Sequence, residues 1–313
     1  MAMTGAHAVV TVVVTWNRRE LLLDALEAIY AQSPPPAAVV VVDNASTDGT
    51  PSAVSEQFPT ADLLVTGRNV GGAGGFARGM ARALDAHDCD LLWLMDDDTV
   101  PRPGALAALV GAYDTYPATD AAAGSAGRRP ALVASRVVWT DGRDHPMNTP
   151  RRKPGVRADE RRRAAAVGCV PVRSASFVSI LLDAGTLRER GLPVADYFLW
   201  NDDFELTTRL LRGRHGLLCP ASVVEHRTRT FGSTDADPGE RFFYEVRNKV
   251  WLLTRSRGLS PLEKVVYGAS TVRRWARTIA ASHDRAVLRR GLLTGLVAGV
   301  RAGPRPNADV LDE

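Results

Sequence analysis

Asp96, Asp97 and Asp98 follow directly on the apolar run Leu91-Leu92-Trp93-Leu94-Met95, and three adjacent carboxylates need a physical reason to stay together. Two like charges about 4 Å apart repel by roughly 4 kcal/mol at an effective dielectric of about 20. A chain that gathers three of them at the end of one strand gains most from a cation between them. Along an extended segment side chains alternate faces, so Asp96 and Asp98 share one face and Asp97 takes the other. Two hard oxygen ligands on one face, with room for water and phosphate, suit Mg²⁺ or Mn²⁺. The plain alternative is a solvated acidic turn, because Thr99-Val100-Pro101 carries turn chemistry.

A second acidic cluster, Trp200-Asn201-Asp202-Asp203-Phe204-Glu205, precedes a helical segment through Leu206 to Leu211. Negative charge is favoured at a helix N-terminus, but a cap needs only one of these carboxylates. A carboxylate held ionised beside an acceptor hydroxyl can serve as a general base. Further on, Val223-Val224-Glu225 delivers His226 to a strand end. A lone histidine is more often a hydrogen-bonded structural residue; beside an aspartate metal site it becomes a candidate third ligand.

The elements that must carry these groups are legible in the hydrophobic pattern. Val9 to Thr15 is a β-branched run, as expected of a strand buried on both faces. Asn17 and Glu20 stand at capping-box spacing before a helix with the stripe Leu22, Ala25, Leu26 and Ile29, closed by Ser33-Pro34-Pro35-Pro36. A second strand, Ala38 to Val42, ends at Asp43-Asn44 and a turn-rich stretch. A helix through Pro51 to Phe58 and a strand at Leu63 to Val65 follow. A glycine-rich turn after Asn69 then opens a helix whose face carries Phe76, Met80, Ala83 and Leu84, and the next strand delivers the aspartates. Repeated β-α units imply an α/β fold with a mostly parallel, Rossmann-like sheet flanked by helices and ligands at the carboxyl ends of its strands. Asp43, Asn69 and the aspartate triplet all fall there.

Gly72, Gly74 and Ala77 satisfy the dinucleotide pattern G-x-G-x-x-G/A. The pattern follows the third strand rather than the first, and it leaves Asp43, Asp97 and Asp98 without a role, so an oxidoreductase is disfavoured. The glycines equally allow close approach of the backbone to a nucleotide or to a neighbouring strand.

Past a helix at Gly104 to Tyr113, an Ala/Gly-rich loop from Pro117 to Pro130 and a strand at Ala131 to Trp139, the segment from Thr140 to Arg163 is polar and arginine-rich. It reads as a solvated mobile loop, a flap or a contact for an acidic ligand. Order returns around Ala175 to Leu182. From Ser260 a separate helical extension begins with a capping box of Ser260, Pro261 and Glu263. Leu262, Val265, Val266, Ala269, Val272, Ala276 and Ile279 follow at helical spacing, among Arg273, Arg274, Arg277, Arg285, Arg289 and Arg290. Such a helix either packs on the domain or lies on an anionic membrane surface.

A chain of 313 residues with a net charge of +4 suits one large domain or two modest ones and gives no reason to expect nucleic acid. Cys89, Cys169 and Cys219 are widely spaced, which fits buried thiols in a reducing compartment. The N-terminus reads as a first strand rather than a signal peptide, and Gly291 to Val300 is too short an apolar run for a span. The expectation is a cytoplasmic protein, with the basic helical extension in peripheral contact with the plasma membrane.

Thr15-Trp16-Asn17-Arg18, Val42 to Thr50, Asn69-Val70-Gly71-Gly72 and the aspartate triplet occur in an order that resembles family 2 glycosyltransferases of the GT-A fold. The string Asn69 to Gly79, Trp93 to Asp98, and Phe242-Phe243-Tyr244 with Arg247-Asn248 is similar to the bacterial galactofuranosyltransferase branch, with rhamnosyltransferases as near relatives. The resemblance spans roughly residues 8 to 255. It implies a nucleotide-sugar half over 1–130, an acceptor and catalytic half over 131–255, and a basic amphipathic helical tail over 256–313. It also implies that Asp43 contacts the nucleobase, with Thr15, Asn17 and Arg18 lining the same pocket, and that Asn69, Gly71 and Gly72 approach the ribose and sugar. Asp96, Asp98 and His226 would hold Mn²⁺ or Mg²⁺, and Asp97 would stand beside them on the substrate side without an assigned role. Asp203 matches the catalytic base, Trp200 offers an aromatic face to the acceptor, and Asp202 and Glu205 complete the acceptor cluster. Asn201 departs from the pattern, since related enzymes often carry an acid there. The implied partners are a UDP- or dTDP-linked sugar and a glycan or lipid-linked glycan acceptor. A sugar-phosphate nucleotidyltransferase would share the metal and nucleotide but carries a lysine-bearing glycine-rich signature near its first strand, where Thr15 to Glu20 supplies only arginines. A non-catalytic carbohydrate-binding protein would tolerate loss of the carboxylates, all of which are present.

Overall fold

Ten strands form one twisted sheet in the computed structural model, which describes residues 7–117, 129–147, 149–229, 231 and 237–312. The strands are β1 (Val9–Thr15), β2 (Ala38–Asp43), β3 (Asp62–Val65), β4 (Leu91–Asp96), β5 (Thr99–Pro101), β6 (Leu132–Val138), β7 (Arg151–Arg152), β8 (Val170–Ser174), β9 (Ser179–Asp183) and β10 (Gly216–His226). Their order is β3-β2-β1-β4-β9-β6-β10-β8-β7, with β5 paired to β10. The β3-β2-β1-β4 half is parallel, β9 runs antiparallel to β4 and β6, and β10 returns parallel to β6. The central valines and leucines are buried on both faces, as crossover helices on both sides require.

The helices are α1 (Arg19–Tyr30), α2 (Thr50–Gln57), α3 (Gly71–Ala86), α4 (Ala105–Thr115), α5 (Ala158–Ala166), α6 (Ala184–Arg190), α7 (Asp202–Leu210), α8 (Phe242–Thr254), α9 (Pro261–Ala281), α10 (Arg285–Arg301) and α11 (Asn307–Leu311). Leu22, Ala25, Leu26 and Ile29 of α1 are fully buried, as their spacing requires. Residues 118–128 of the Ala/Gly-rich stretch lie outside the described residues. Cys89, Cys169 and Cys219 are buried free thiols.

Three local expectations change. Asn17 does not cap α1: its φ is 53°, and its Oδ1 accepts from the Thr47 amide at 2.8 Å. The cap comes from elsewhere, with Asp48 Oδ2 accepting from the Arg19 amide at 3.1 Å, so a tie between the β1 and β2 loops replaces a local box. The glycine-rich turn is mostly helix. Gly75 lies flat on Val14 and Gly79 on Val12, where a Cβ would enter the valine side chains of β1, so these glycines serve helix–strand contact. Finally, the arginine-rich segment is not a free loop: it contains β7 and α5. The anchor is Glu160, buried on α5, which accepts from Lys153 Nζ at 2.8 and 2.9 Å and lies 3.1 Å from His215 Nδ1.

The basic extension is helical, and its capping box forms: Ser260 Oγ accepts from the Glu263 amide and Glu263 accepts from the Ser260 amide. Trp275 of α9 and Leu288 of α10 pack on Phe242 of α8, while α10 turns Gly291, Gly295 and Gly299 toward α8. Among the described residues no helix is long and apolar enough to cross a membrane.

Candidate active site

The carboxyl ends of β1, β2 and β4 lie side by side, with Thr15 paired to Asp43 and Val14 to Asp96. Asp96 closes β4, and the chain turns through Asp97 and Asp98 into β5. Antiparallel pairing of Thr99 with His226 then brings the last residue of β10 onto Asp98, whose carbonyl accepts from the Arg227 amide at 2.8 Å. His226 Nε2 is 3.1 Å from Asp98 Oδ1.

Asp96, Asp98 and His226 each offer one ligand atom, all within 4.8 Å of one another. The donor set fits a hard divalent ion, and His226 Nδ1 is buried without a hydrogen-bond partner. Burial pushes the Asp96 carboxyl up to about 7, with the Asp98 charge adding to it. Burial also opposes the charge of Asp98, but the hydrogen bond and charge of His226 and the charge of Arg18 hold it below the usual carboxylate range. Burial lowers His226, yet its contacts with Asp98 win and raise it. The group is therefore a proton-sharing cluster that a metal ion would displace.

β4 ends at Asp96, so Asp97 and Asp98 lie in a turn rather than in extended strand, and the alternation expected from the sequence does not set their directions. Asp97 accepts from Thr15 Oγ1 at 2.9 Å, the Trp16 amide at 3.4 Å and Arg18 Nη1 at 3.0 Å. The same Arg18 nitrogen reaches Asp98 Oδ2 at 2.7 Å. Asp97 thus braces the β1 loop and aims Arg18 at the triplet. Asn17, Arg18, Asp48 and Arg229 line a cleft beside it. Asp43 is fully buried at the end of β2, with Oδ2 accepting from the Ser46 amide at 2.9 Å.

Asn69 makes a local turn, its Oδ1 accepting from the Gly71 amide at 2.7 Å. Gly71 has φ +73°, and a Cβ there would collide with the Phe198 carbonyl, so this position joins α3 to the loop that carries the second acidic cluster. Gly72 meets nothing within 4 Å and leaves open space. In the facing loop, Phe198, Trp200 and Asn201 have φ of 60°, 65° and 66°. Three non-glycine residues in left-handed backbone cost about 1–3 kcal/mol each unless the surroundings hold them. Asn248 of α8 does so, its Nδ2 donating to the carbonyls of Tyr197, Leu199 and Trp200 at 2.8, 2.8 and 2.9 Å. Asn201 Nδ2 donates to Glu245 Oε2 at 2.7 Å, a partner that an acid at 201 would repel.

Asp202 and Asp203 open α7. Burial pushes Asp202 up to about 8, with the charges of Asp203 and Asp96 adding to it, so the two acidic clusters act on each other through Asp202 and Asp96. Asp203 is also raised by burial, against the Phe204 amide and the positive charges of Lys249 and Arg151. Glu205, expected in the acceptor cluster, accepts from Arg209 and, at 2.8 Å, from Ser256 Oγ, making it a brace between α7 and the loop after α8.

Several residues escaped sequence reasoning. Asn44 donates to the Gly71 carbonyl at 3.1 Å, and its Oδ1 is buried without a partner. The His145 ring lies 5.1 Å from that of His226, tilted by 39°, with no signal in its arginine-rich surroundings. Asn248 lay within a quoted motif, but its role as a clamp depends on a loop about fifty residues upstream, since it bonds to residues 197–200.

Residues 11–173 match the profile of glycosyl transferase family 2. The chain belongs to that family. It is 30% identical over 285 residues to the galactofuranosyltransferase GlfT1 of Mycolicibacterium smegmatis, covering 85% of this chain and 90% of the relative. It is 27% identical over 291 residues to the N-acetylglucosaminyl-diphospho-decaprenol L-rhamnosyltransferase of Mycobacterium tuberculosis, covering 84% and 90%. The crystal structure of GalNAc-T7 with UDP, GalNAc and Mn²⁺ superposes with a TM-score of 0.58 at 14% identity, over 80% of this chain and 48% of that one. The protein is a glycosyltransferase of GT-A architecture, and membership removes the nucleotidyltransferase and non-catalytic alternatives.

Because Asp96 at about 7 and the raised His226 must both lose protons to bind metal, Mn²⁺ affinity should fall as pH drops below about 7. The expected slope is about tenfold to a hundredfold per pH unit, for one or two displaced protons. Calorimetric titration with Mn²⁺ from pH 8 down to pH 5.5 (roughly the range over which both groups gain protons) measures it; a flat profile excludes this ligand set.

Proposed function

We propose that this glycosyltransferase is inverting and divalent-metal-dependent. It moves galactofuranose from UDP-galactofuranose onto a glycan or lipid-linked glycan acceptor of the cell envelope, with Asp203 as general base. The observation that carries this reading is the meeting of two acidic clusters from opposite halves of the chain, Asp96 with Asp98 and His226 on one side and Asp202 with Asp203 on the other. The named relatives support the sugar: a galactofuranosyltransferase first and a rhamnosyltransferase second, which keeps dTDP-rhamnose as the competing donor.

In this reading Asp43 Oδ1 and Asn44 Oδ1, both buried and unpartnered, take the polar edge of the nucleobase, with Thr15, Asn17 and Arg18 forming the adjoining wall. Asn69, Gly71 and the open Gly72 face the ribose and sugar. Asp96, Asp98 and His226 hold Mn²⁺ or Mg²⁺, which when bound supplies Lewis-acid charge opposite the departing diphosphate. Asp203 takes the proton of the acceptor hydroxyl as that oxygen attacks C1 and the bond from C1 to the diphosphate breaks. One in-line displacement inverts the anomeric centre. Trp200 offers a stacking face to the acceptor sugar. A glycosidase would need a carboxyl pair spanning the bond instead.

The tail supports a membrane-proximal acceptor. Leu262, Val265, Val266 and Val272 of α9 and Leu293, Val297 and Val300 of α10 are exposed, the reverse of a helix that packs its whole apolar stripe inward. Arg273, Arg277, Arg289 and Arg290 are exposed among them. An anionic bilayer on the cytoplasmic face satisfies both features, whereas a second copy would set arginine against arginine.

Asp203→Asn should lower transfer by about 10²–10⁴-fold while leaving UDP–Mn²⁺ affinity unchanged. Turnover within a factor of a few of wild type removes Asp203 as the base. In a thermal-shift panel with Mn²⁺, UDP-galactofuranose should stabilise the protein more than dTDP-rhamnose; the opposite ranking reassigns the donor. Co-sedimentation should require vesicles containing anionic lipid and be lost when Leu262, Val265 and Val266 are replaced by serine. Equal sedimentation by that variant excludes the tail as the docking face.

A further inference from the structure

Lys249 is 9% exposed, and among the described residues its Nζ donates to no carboxylate or carbonyl at hydrogen-bond distance. The ammonium lies 5.3 Å from the centre of the Phe204 ring. Arg151, exposed on β7, places its guanidinium 5.3 Å from the same ring, and Tyr267 of α9 meets the ring edge-on at 5.2 Å. Phe204 directly follows Asp203, and both cations act on the Asp203 carboxyl. Two positive charges from distant segments thus converge on one aromatic side chain beside the base.

A buried ammonium without an acceptor is expensive, and Glu245 and Asp203 reach it by charge alone. Glu245 is held by Arg274, by Asn201 Nδ2 at 2.7 Å and by Trp275 Nε1 at 3.3 Å. Asp203 Oδ1 accepts from the Phe204 amide at 2.6 Å. Among the described residues nothing takes the three ammonium donors, which leaves them open to a ligand. Burial pushes Lys249 down to about 8, so an incoming anion would also restore its full charge.

We propose that Lys249 and Arg151 form an anion subsite beside Asp203 that receives a phosphate or diphosphate ester carried by the acceptor. A compact ammonium and a planar guanidinium fork together match the several oxygens of a phosphate group better than the two of a carboxylate. The assignment to the acceptor rests on the glycosyltransferase reading of Asp203, because both cations act on the carboxyl that would face the attacking hydroxyl. It also gives the arginine-rich segment a task, since Arg151 reaches the site from β7.

The test is calorimetric titration of the metal-free, EDTA-treated full chain with inorganic pyrophosphate and with geranyl diphosphate. Wild type should bind both, and Lys249→Met and Arg151→Gln should each weaken binding about tenfold, as expected for loss of one charge-assisted contact. Arg151 is exposed, so its variant reports even where Lys249→Met disturbs packing. Lys249→Arg should retain binding. Equal affinity in wild type and in Arg151→Gln overturns the subsite, and binding of pyrophosphate but not of the ester overturns its assignment to the acceptor. UDP with Mn²⁺ should bind wild type and both variants alike. Failure of UDP–Mn²⁺ to bind any of them marks a failure of the donor reading, separate from that of the anion subsite.

Discussion

Repulsion among the carboxylates of Asp96, Asp97 and Asp98 governs how the two halves of this chain come together. Two of the three are answered by hydrogen bonds: Asp97 by the β1 loop through Thr15 and Arg18, and Asp98 by the same Arg18 and by His226, while Asp96 takes part in none of these. The pairing of β5 with β10 makes this possible, because it lays a strand from the second half of the chain against the turn that holds the triplet. Asp96 is left with a strongly perturbed carboxyl in a partly open position. A site of that kind stores electrostatic free energy that a divalent ion relieves on binding.

The opposite wall is built by strain rather than charge. Three residues of positive φ between Phe198 and Asn201 lead into Asp202 at the start of α7, and the Asn248 side chain holds that loop through three carbonyls. Gly71 closes the seam from α3, where any larger residue would strike the Phe198 carbonyl. The start of α3 and the loop before α7 are therefore in direct backbone contact, so that displacement of the α8 clamp would be felt at α3 as well.

The helices beyond α8 serve two surfaces at once. Trp275, Leu288 and the three glycines of α10 seal the back of α8, which fixes the clamp. Their other faces present apolar side chains and arginines outward. Packing on the domain and contact with a membrane surface are compatible, because they use different faces of the same helices.

Periodicity and motif order sufficed for the β-α alternation, the buried stripe of α1, the capping box of α9 and the placing of Asp43 and the triplet at strand ends, since each depends on residues close in sequence. Alternation did not extend to the triplet, because β4 ends at Asp96 and a turn lets Arg18 reach both Asp97 and Asp98. Local rules failed where a distant partner outcompeted a near one: Asn17 gave up its cap to bind the Thr47 amide, Glu205 turned to Arg209 and Ser256, and Glu160 drew the arginine-rich segment into a helix. What the sequence alone determined, then, is the family, the order of elements and the residue types that meet at the site. Only the tertiary structure decided that His226 faces Asp98, that Asn248 clamps the loop before Asp202, and that Lys249 and Arg151 flank Phe204. Strand register and long-range hydrogen bonds join residues remote along the chain, and no pattern within one segment encodes them.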